Sequence, residues 1–347
     1  MAGKPIILVT GAGGFIAKRI VLELLGRSYA VRGTLRDTKR SDEVRDAIRP
    51  HLKGTGVSLG GDLKFLQADL LSEAGWGRAL EGVAAVIHTA SPFPTGTPGD
   101  PQEVIRPAVE GTIRVLRAAH AAGVKRAVLT SSGSAITFGH QNGPGELHFN
   151  ERHWSNLEDP RLTPYNRAKT LAELAAWDVA NETGIKLAVI NPTLVMGPML
   201  DKGYSTSMEV IKRLLGGRVP MIPNIGFGIV DIRDVAEMHV NALANPAAPG
   251  KRHFAHAGYL MLADIATILR ELYPKAPIPS RKAPDFLLRF FARFDSSLKQ
   301  VVDDLGIVRV IDASSGRALL GHDFIPAREA IQQTAEGLMA HGIVKRR

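Results

Sequence analysis

Short apolar runs alternate with helix-like stretches along the first half of the chain. In the helix-like stretches apolar residues recur every three or four positions, whereas the runs are almost uninterrupted, as expected of strands buried on both faces. The runs are Ile6–Thr10, Ala30–Leu35, Leu63–Gln67, Ala84–Thr89, Ala127–Ser131 and Leu187–Asn191. This alternation predicts an α/β fold in which a doubly wound parallel sheet carries helices on both faces.

The intervening stretches predict helices with recognisable ends. They are Phe15–Leu25, Val104–Ala122 and a long helix from Pro164 to Ala180. Thr163 is an N-cap candidate for the last helix, and proline is well tolerated at the first helical position. Each helix is followed by a glycine, where the chain can take the left-handed conformation that ends many helices.

The regular alternation ends after Asn191. Prolines and glycines then interrupt the chain as far as Pro223, and the last third has a helical pattern with loops over Pro274–Pro284. We therefore predict a large sheet domain over residues 1–191, to which residues 226–256 return. A smaller, partly discontinuous domain that binds the substrate is predicted over residues 192–225 and 257–347.

The composition is that of an ordinary globular protein. Of the 347 residues, 45% are hydrophobic and 22% are charged, and the absence of cysteine excludes disulfide bonds and thiolate metal sites. The early apolar run Ile6–Val9 is too short for a secretory signal. No segment reaches the roughly 18 apolar residues of a membrane-spanning helix. We expect a cytoplasmic protein with no membrane partner.

The chain carries a formal net charge of +9, from 43 Lys and Arg against 34 Asp and Glu. In nucleic-acid-binding proteins such a surplus is gathered into one basic stripe or face. Here the basic residues are scattered, which favours solubility and attraction for an anionic cofactor. We expect no nucleic-acid partner.

A glycine-rich loop follows the first predicted strand and opens the first helix. Gly11 and Gly14 hold the first two glycine positions of a dinucleotide-binding motif, Gly13 stands between them, and Ala17 takes the third position. Glycine lets the backbone approach a pyrophosphate, and a helix N-terminus offers free N–H groups. The sequence therefore predicts a dinucleotide site in a Rossmann domain.

The residues after the second predicted strand discriminate between NAD and NADP. Asp37 lies about 20 positions beyond the glycines, where an acidic residue binds the ribose 2′-hydroxyl of NAD. Arg36, Lys39 and Arg40 form a cationic cluster around it that can hold a 2′-phosphate. We favour NADPH. Because strand residues alternate between two faces, Arg36 and Asp37 should not both face the ribose.

Tyr165 and Lys169 are four residues apart and share one face of the predicted helix. A free phenol has a pKa of about 10, which suits proton transfer at neutral pH poorly. A cation about 4 Å away at an effective dielectric constant of about 20 contributes roughly 4 kcal/mol. We therefore expect Lys169 to lower the pKa of Tyr165 towards the working pH.

Serines follow the fifth predicted strand, at the edge where open α/β sheets bind their ligands. A hydroxyl at this edge can hydrogen-bond a substrate carbonyl beside Tyr165. We favour Ser132, with Ser131 and Ser134 as neighbouring alternatives. Serine is also an ordinary turn residue, so the pattern alone does not decide among them.

Together these motifs resemble the extended branch of the short-chain dehydrogenase/reductases. The likeness is greatest to the dihydroflavonol reductase, cinnamoyl-CoA reductase and ketone/aldehyde reductase group. The matching stretches are TGAGGFIAKRI, VRGTLRD, FLQADL, VIHTASPF, VIRPAVEGTIRVL, AVLTSSGSA, PYNRAKTLAE and INPTLVMGP, with a fainter match in VDIRDVAEMHVNAL. After Pro274, the segment APDFLLRFFARFDSSLKQVVDDLG looks like an insertion relative to the plant reductases, so their substrates do not transfer.

The resemblance implies a role for each matching residue. Tyr165 would donate a proton, Lys169 would hold the nicotinamide ribose and tune Tyr165, and Ser132 would polarise the carbonyl. The other cofactor contacts that it implies are Gly11, Gly13, Gly14, Phe15 and Ile16 in the glycine loop and first turn, Arg36 and Arg40 (or Lys39) at the 2′-phosphate, Asp69 and Leu70 at the adenine, Thr89, Ala90 and Ser91 in the cleft, and Pro192 and Thr193 near the nicotinamide amide.

Other patterns are weaker. His253 and His256 belong to no convincing ligand set, so we expect no metal, and His88 is expected to be a packed or cleft-wall residue. Phe286–Phe294 has aromatic residues at helical spacing with arginines between them. We expect this helix to face the core, cover the pocket or form a dimer contact, in preference to lying on a membrane surface.

The sequence therefore predicts NADPH-dependent reduction of a small aldehyde or ketone to an alcohol, by a monomer or homodimer. An NAD-dependent sugar-nucleotide epimerase or dehydratase shares the glycine loop and the Tyr–Lys pair, and an acidic strand end without Arg36 would favour it. A redox-sensing binding protein without turnover is a third interpretation. Such a sensor has no need of Ser132, Tyr165 and Lys169 together.

Overall fold

The computed structural model describes residues 3–91, 100–140, 143–294 and 299–345. Within these ranges the strands are β1 (Ile6–Thr10), β2 (Ala30–Leu35), β3 (Leu63–Gln67), β4 (Ala85–His88), β5 (Arg126–Thr130), β6 (Gly145–Phe149), β7 (Lys186–Pro192), β8 (Leu194–Met196), β9 (Gly226–Asp231), β10 (Arg252–Ala255), β11 (Gly258–Met261) and β12 (Ile307–Ile311). The α-helices are α1 (Phe15–Gly26), α2 (Ser41–Ile48), α3 (Leu59–Asp62), α4 (Trp76–Leu80), α5 (Gln102–Ala121), α6 (Pro164–Thr183), α7 (Glu209–Leu215), α8 (Ile232–Ala244), α9 (Leu262–Leu272), α10 (Asp285–Phe291), α11 (Lys299–Asp303), α12 (Ser314–Leu320) and α13 (Ala327–Ala340). Short 3-10 helices lie at Thr38–Arg40, Arg49–Leu52, Gly133–Ala135 and Thr206–Met208.

The central element is a parallel sheet of seven strands in the order β10-β7-β5-β4-β1-β2-β3. The chain runs outwards from β1 to β3 and then returns to place β4 on the other side of β1. Open α/β sheets bind their ligands at the carboxyl ends of the strands where the order reverses in this way. The predicted doubly wound sheet is confirmed, and β1, β2 and β3 have the predicted bounds.

Two small sheets accompany the large one. In the first, β9 pairs with β8 in parallel and with β11 in antiparallel orientation, and in the second β12 pairs with β6. The prediction of a helical last third was therefore incomplete, because β10, β11 and β12 lie there. These strands have only four or five residues each, too few to show a clear period.

The ends of α6 follow the predicted chemistry. The Thr163 hydroxyl accepts a hydrogen bond from the Asn166 N–H at 3.1 Å, and Pro164 occupies the first turn. Gly184 ends the helix with a left-handed φ of 73° and donates its N–H to the Ala180 carbonyl. The two caps fix where the helix begins and ends, and Tyr165 and Lys169 lie in its first two turns.

In the described residues the buried apolar side chains form three large clusters and a small one. The first and the third cover the two faces of the central sheet, the first with residues of α8, β10 and α12 and the third with residues of α5 and α6. The second is built mainly from α7, α9 and α13. The apolar residues of α12 thus lie with those of the central sheet, although the predicted domain division, which stays a prediction, assigns them to the smaller domain.

Of the three expectations for the helix at Phe286–Phe294, the core-facing one is wrong, while a pocket cover and a dimer contact stay predictions. Phe286, Phe290, Phe291 and Phe294 are each at least half exposed, while Leu288 packs against the second cluster. Spacing showed that one face is aromatic but could not show which face the fold covers. None of the helices in the described ranges has the length and apolar character needed to cross a bilayer.

The glycine at position 316 allows α12 to pack directly against the backbone of β10. A Cβ on Gly316 would overlap the carbonyl oxygen of Phe254. The Gly316→Ala substitution should therefore lower the free energy of unfolding by about 1–3 kcal/mol through overpacking, as measured by urea denaturation. The matched control is Gly26→Ala in the last turn of α1, where a Cβ meets nothing within 4 Å and the helix should gain stability. Equal stability of the two variants would contradict this interpretation.

Candidate active site

A cavity of about 810 Å³ lies where the sheet order reverses. Its lining includes many of the predicted cofactor-binding residues, namely Gly11, Gly13, Gly14, Arg36, Arg40, Asp69, Leu70, Thr89, Ala90 and Ser91, together with Asp37. Phe15 and Ile16, which begin α1, do not line it, and neither does Lys39. The catalytic candidates, Pro192 and Thr193 lie outside this cavity as well.

The glycine loop brings backbone close to the β4 edge. Gly11 has a left-handed φ of 63°, and a Cβ there would lie only 3.0 Å from the Cβ of Ala90. Gly14 precedes α1 as its N-cap and supplies no side-chain hydrogen bond to the helix N-terminus. The first turn of α1 therefore keeps N–H groups without a side-chain cap, and these groups can bind a phosphate.

A glycine on β2 lets this loop approach the sheet. A Cβ on Gly33 would lie 2.7 Å from both the Cβ of Ala12 and the ring of Phe65. The Ala12 N–H donates to the Thr34 carbonyl at 2.9 Å, which fixes the loop against β2. Any larger residue at position 33 would displace the loop from the position in which it lines the cavity.

The cationic cluster lies at the end of β2. Arg36 and Asp37 both line the cavity, and the expectation that only one of them faces the ribose stays a prediction. The strand ends at Leu35, so the alternation of faces does not continue over these residues. The Asp37 carboxylate accepts the Lys39 backbone N–H at 2.9 Å and caps the following 3-10 turn. Arg40 extends towards the glycine loop, with one guanidinium nitrogen 3.8 Å from the position of a Cβ on Gly13.

His88 is a buried residue that organises the neighbouring loop. Its Nδ1 lies 2.7 Å from the Thr10 hydroxyl oxygen, which also accepts the N–H groups of Thr89 and Ala90. Burial lowers the pKa of His88 to about 3, and the charge of Lys169 acts in the same direction. The imidazole is therefore neutral and holds residues 89 and 90 against the glycine loop.

The structure brings Ser132, Tyr165 and Lys169 together. The side chains of Ser132 and Tyr165 are hydrogen-bonded, and Lys169 follows Tyr165 one turn along α6. Ser131 points elsewhere and donates to the Glu173 carboxylate at 2.5 Å. Ser134 donates its backbone N–H to the Ser132 hydroxyl at 3.1 Å. Of the three serines considered, Ser132 is the one hydrogen-bonded to the phenol.

The pKa of Tyr165 is raised, which corrects the expectation that Lys169 lowers it. Burial disfavours the phenolate and outweighs the hydrogen bond from Ser132. Burial also lowers the pKa of Lys169 to about 8, and the nearby Glu173 carboxylate opposes this shift. The sequence argument gave the charge of Lys169 more weight than the cost of burying both groups, and that cost is the larger effect. The phenol consequently stays protonated at neutral pH.

A buried ion pair lies beneath this group. The Glu173 carboxylate accepts from the Arg252 guanidinium at 2.5 Å and from the Asn191 side-chain amide at 2.8 Å. The Arg252 guanidinium also lies over the Trp154 ring, 3.8 Å from its centroid. Sequence reasoning missed this network. The only local indication in the sequence was Glu173 itself, four residues after Lys169. Its partner Arg252 lies 79 residues further along the chain.

Pro192 and Thr193 lie beside the serine loop. The Thr193 N–H donates to the Ala255 carbonyl at 3.1 Å, and the Thr193 methyl group is 3.5 Å from the position of a Cβ on Gly133. His256 lies nearby, and burial lowers its pKa to about 4. Its Nδ1 is buried without a hydrogen-bond partner. Among the described residues no group of three or more histidine and acidic side chains is arranged to hold a metal ion.

The sheet reversal, the glycine loop and the Ser–Tyr–Lys group define a dinucleotide-binding protein of the short-chain dehydrogenase/reductase type. The chain belongs to the NAD dependent epimerase/dehydratase family, whose sequence model matches residues 7–256.

Comparisons with individual proteins agree with this membership. Cinnamoyl-CoA reductase CAD2 of Medicago truncatula is 32% identical over 337 residues, which cover 96% of this chain and 95% of the relative. Tetraketide alpha-pyrone reductase 1 of Arabidopsis thaliana is 34% identical over 298 residues, covering 85% and 88% of the two chains. The crystal structure of yeast methylglyoxal/isovaleraldehyde reductase Gre2 complexed with NADPH is similar with a TM-score of 0.79 and 27% identity. That similarity covers 96% of this chain and 98% of the yeast chain.

Breaking the buried pair should be costly. Arg252→Met leaves the Glu173 carboxylate buried without its main counter-charge and should lower the free energy of unfolding by about 3–5 kcal/mol. The matched control is Arg117→Met. Arg117 lies on α5 and forms an exposed ion pair with Glu182 of α6, the helix that also carries Glu173, so this substitution should cost at most about 1 kcal/mol. Chemical denaturation of both variants measures the difference, and similar small losses would show that the buried pair contributes little.

Proposed function

We propose that the protein is an NADPH-dependent reductase that converts an aldehyde or ketone to an alcohol. The observation that carries this proposal is the hydrogen-bonded pair of Ser132 and Tyr165 hydroxyls, one helical turn from Lys169 and at the carboxyl edge of a dinucleotide-binding sheet. The similarity to a cinnamoyl-CoA reductase and a tetraketide alpha-pyrone reductase, and to a yeast methylglyoxal/isovaleraldehyde reductase complexed with NADPH, supports it.

The residues present fit the cofactor. A diphosphate would lie against the glycine loop and the first turn of α1, where N–H groups are free to bind it. Gly11 keeps this place accessible, because a Cβ there would contact Ala90. Arg36 and Arg40 would bind the 2′-phosphate from the same end of the cavity. The adenine would contact Asp69 and Leu70, and Pro192 with Thr193 would lie near the nicotinamide amide. When bound, NADPH supplies a hydride for the carbonyl carbon.

The two hydroxyls would act on the carbonyl oxygen. Because Ser132 and Tyr165 are within hydrogen-bonding distance of each other, one substrate oxygen can contact both. Ser132 would donate a hydrogen bond that stabilises negative charge as it develops on that oxygen. The raised pKa of Tyr165 keeps the phenolic proton in place until the oxygen becomes basic enough to accept it.

Lys169 would stabilise the phenolate that Tyr165 leaves behind. With a pKa of about 8, Lys169 is protonated and charged at neutral pH, and it loses this proton at higher pH. Glu173 favours the charged form, since it opposes the effect of burial on that pKa. We infer that the buried pair of Glu173 and Arg252 positions α6 and contributes to the charge state of Lys169.

Removing the phenolic hydroxyl tests the proton donor. Tyr165→Phe should reduce kcat for a reactive aldehyde by at least about 10²-fold, the usual scale of general acid catalysis, while NADPH still binds. Lys169→Ala should reduce both turnover and NADPH affinity, because it also removes the ribose contact. Stopped-flow turnover and fluorescence titration of NADPH measure the two effects separately. Near-normal turnover by Tyr165→Phe would exclude Tyr165 as the donor.

A second candidate function rests on Asp37. Its carboxylate lines the cavity together with Arg36, and an acid at this position is the usual partner of the NAD ribose. An NAD-dependent sugar-nucleotide epimerase or dehydratase would use the same glycine loop and Tyr–Lys pair. The two functions differ in cofactor preference and in the substrates that cause turnover.

Cofactor preference distinguishes the two functions. Arg36→Ala should weaken NADPH binding by about 10-fold or more and leave NADH binding nearly unchanged, because it removes a charge-assisted contact to the 2′-phosphate. Lys39→Ala removes the same charge from a neighbouring residue that does not line the cavity, and it should change neither affinity much. Calorimetric Kd values for both cofactors provide the measurement. A wild-type preference for NADH that Asp37→Ala abolishes would favour the epimerase or dehydratase.

A further inference from the structure

Exposed aromatic residues are concentrated in one short segment. Phe286, Phe290, Phe291 and Phe294 are 70%, 50%, 53% and 78% exposed, and they account for more than half of the large exposed hydrophobic side chains in the described ranges. Single exposed apolar residues are normal on a protein surface, whereas a contiguous group marks an interaction site. We name residues 286–294 the aromatic segment.

The fold turns the aromatic face of this segment outwards. Backbone hydrogen bonds continue the turn of α10 as far as Phe294. Leu288 packs against the second apolar cluster and Ala292 is buried, so this side of the turn faces the protein. Phe286, Phe290 and Phe294 recur every four residues and lie on the other side. Neighbouring rings contact each other, with the centroids of Phe290 and Phe294 5.5 Å apart.

The charges around the aromatic segment are predominantly positive. Arg289 and Arg293 are exposed and lie four residues apart beside the phenylalanines, and residues 286–294 include no acidic side chain. Arg281 and Lys282 are exposed just before α10. The acidic residues are outside the segment: Asp285 directly precedes it and Asp295 directly follows it in the sequence, and the charge of Asp303 interacts with that of Arg289. Aromatic residues beside arginines are typical of segments that bind anionic lipid surfaces.

We propose that the aromatic segment docks the protein on an anionic lipid surface, with the phenylalanines among the headgroups and Arg289 and Arg293 at the lipid phosphates. A second copy of the chain fits the segment less well. Fully exposed aromatic side chains offer about 150–250 Å² each, so these four expose roughly 500 Å². A stable dimer needs about 800 Å² on each partner, and the arginines of two copies would repel each other.

Vesicle sedimentation of the full chain tests the proposal. The protein should sediment with phosphatidylcholine vesicles that contain phosphatidylglycerol, much less with phosphatidylcholine alone, and less again when salt screens the charges. Phe290→Ala with Phe294→Ala should lower the partition coefficient at least about tenfold. Arg289→Gln with Arg293→Gln should lower it by about 10-fold or more, and only on anionic vesicles. These side chains are exposed, so each variant should melt like the wild type.

Matched variants separate this docking from general effects of charge and apolar surface. Arg106→Gln with Arg117→Gln removes the same charge from exposed positions on α5, and Val310→Ala shortens another exposed apolar side chain. Both should sediment like the wild type, and no variant should change turnover of a small soluble carbonyl without vesicles. Failure of the wild type to bind, or full binding by the phenylalanine variant, would overturn the proposal.

Two other results would overturn it in favour of another occupant. A change in KM for bulky carbonyls in the phenylalanine variant, without vesicle binding by the wild type, would identify a pocket lid. A dimer in sedimentation velocity that this variant converts to a monomer, again without vesicle binding, would identify a second copy as the occupant. The proposal does not depend on the reductase function, because vesicle binding is measured without substrate or cofactor.

Discussion

The ion pair between Glu173 and Arg252 holds α6, the helix that carries Tyr165 and Lys169, to the sheet. Glu173 is on α6 and Arg252 begins β10, the edge strand next to β7, so the pair joins a helix on the face of the sheet to its last strand. Asn191 and Ser131 donate to the same carboxylate from β7 and from the end of β5. Desolvating two charges is expensive, and these extra hydrogen bonds with the nearby Trp154 ring help to offset that cost. Since Tyr165 and Lys169 lie on the same helix, their position relative to Ser132 depends on this network.

The same network explains why adjacent serines have different roles. The Ser131 hydroxyl donates a hydrogen bond to the Glu173 carboxylate, whereas the Ser132 side chain is hydrogen-bonded to Tyr165. The network also sets the electrostatics of the site, because Glu173 opposes the effect of burial on the pKa of Lys169. The position of α6 and the charge of Lys169 thus both depend on one fully buried carboxylate.

The sequence allowed the larger part of the fold to be predicted, and for a definite reason. β1 is almost entirely buried and is a continuous apolar run. The runs of β2 and β3 contain Arg32 and Lys64, and their bounds were still predicted to the residue because apolar residues surround these positions. The strands β11 and β12 are short and partly exposed and have no comparable pattern. In the site, the spacing of Tyr165 and Lys169 follows from helix geometry. The direction of the Tyr165 pKa shift does not, because burial depends on chain segments far away in the sequence.

Long-range contacts account for the remaining differences. The pairing of Glu173 with Arg252 needs the whole sheet to be in place, and the lining of the cavity by both Arg36 and Asp37 depends on where β2 ends. The outward face of α10 likewise depends on which side of the helix the second apolar cluster covers. A local pattern gives the spacing of side chains along an element, whereas their surroundings come from tertiary packing.

The position of α12 has a consequence for how the protein is made. Leu319, Leu320 and Phe324 belong to the same buried cluster as the strands of the central sheet, and Gly316 lies directly against the β10 backbone. Domains generally fold as units during synthesis, N-terminal ones first. Here the ribosome has to release the chain beyond residue 324 before the core that begins at β1 can close. Until then the nascent sheet keeps an apolar face uncovered, and this face is a binding site for chaperones.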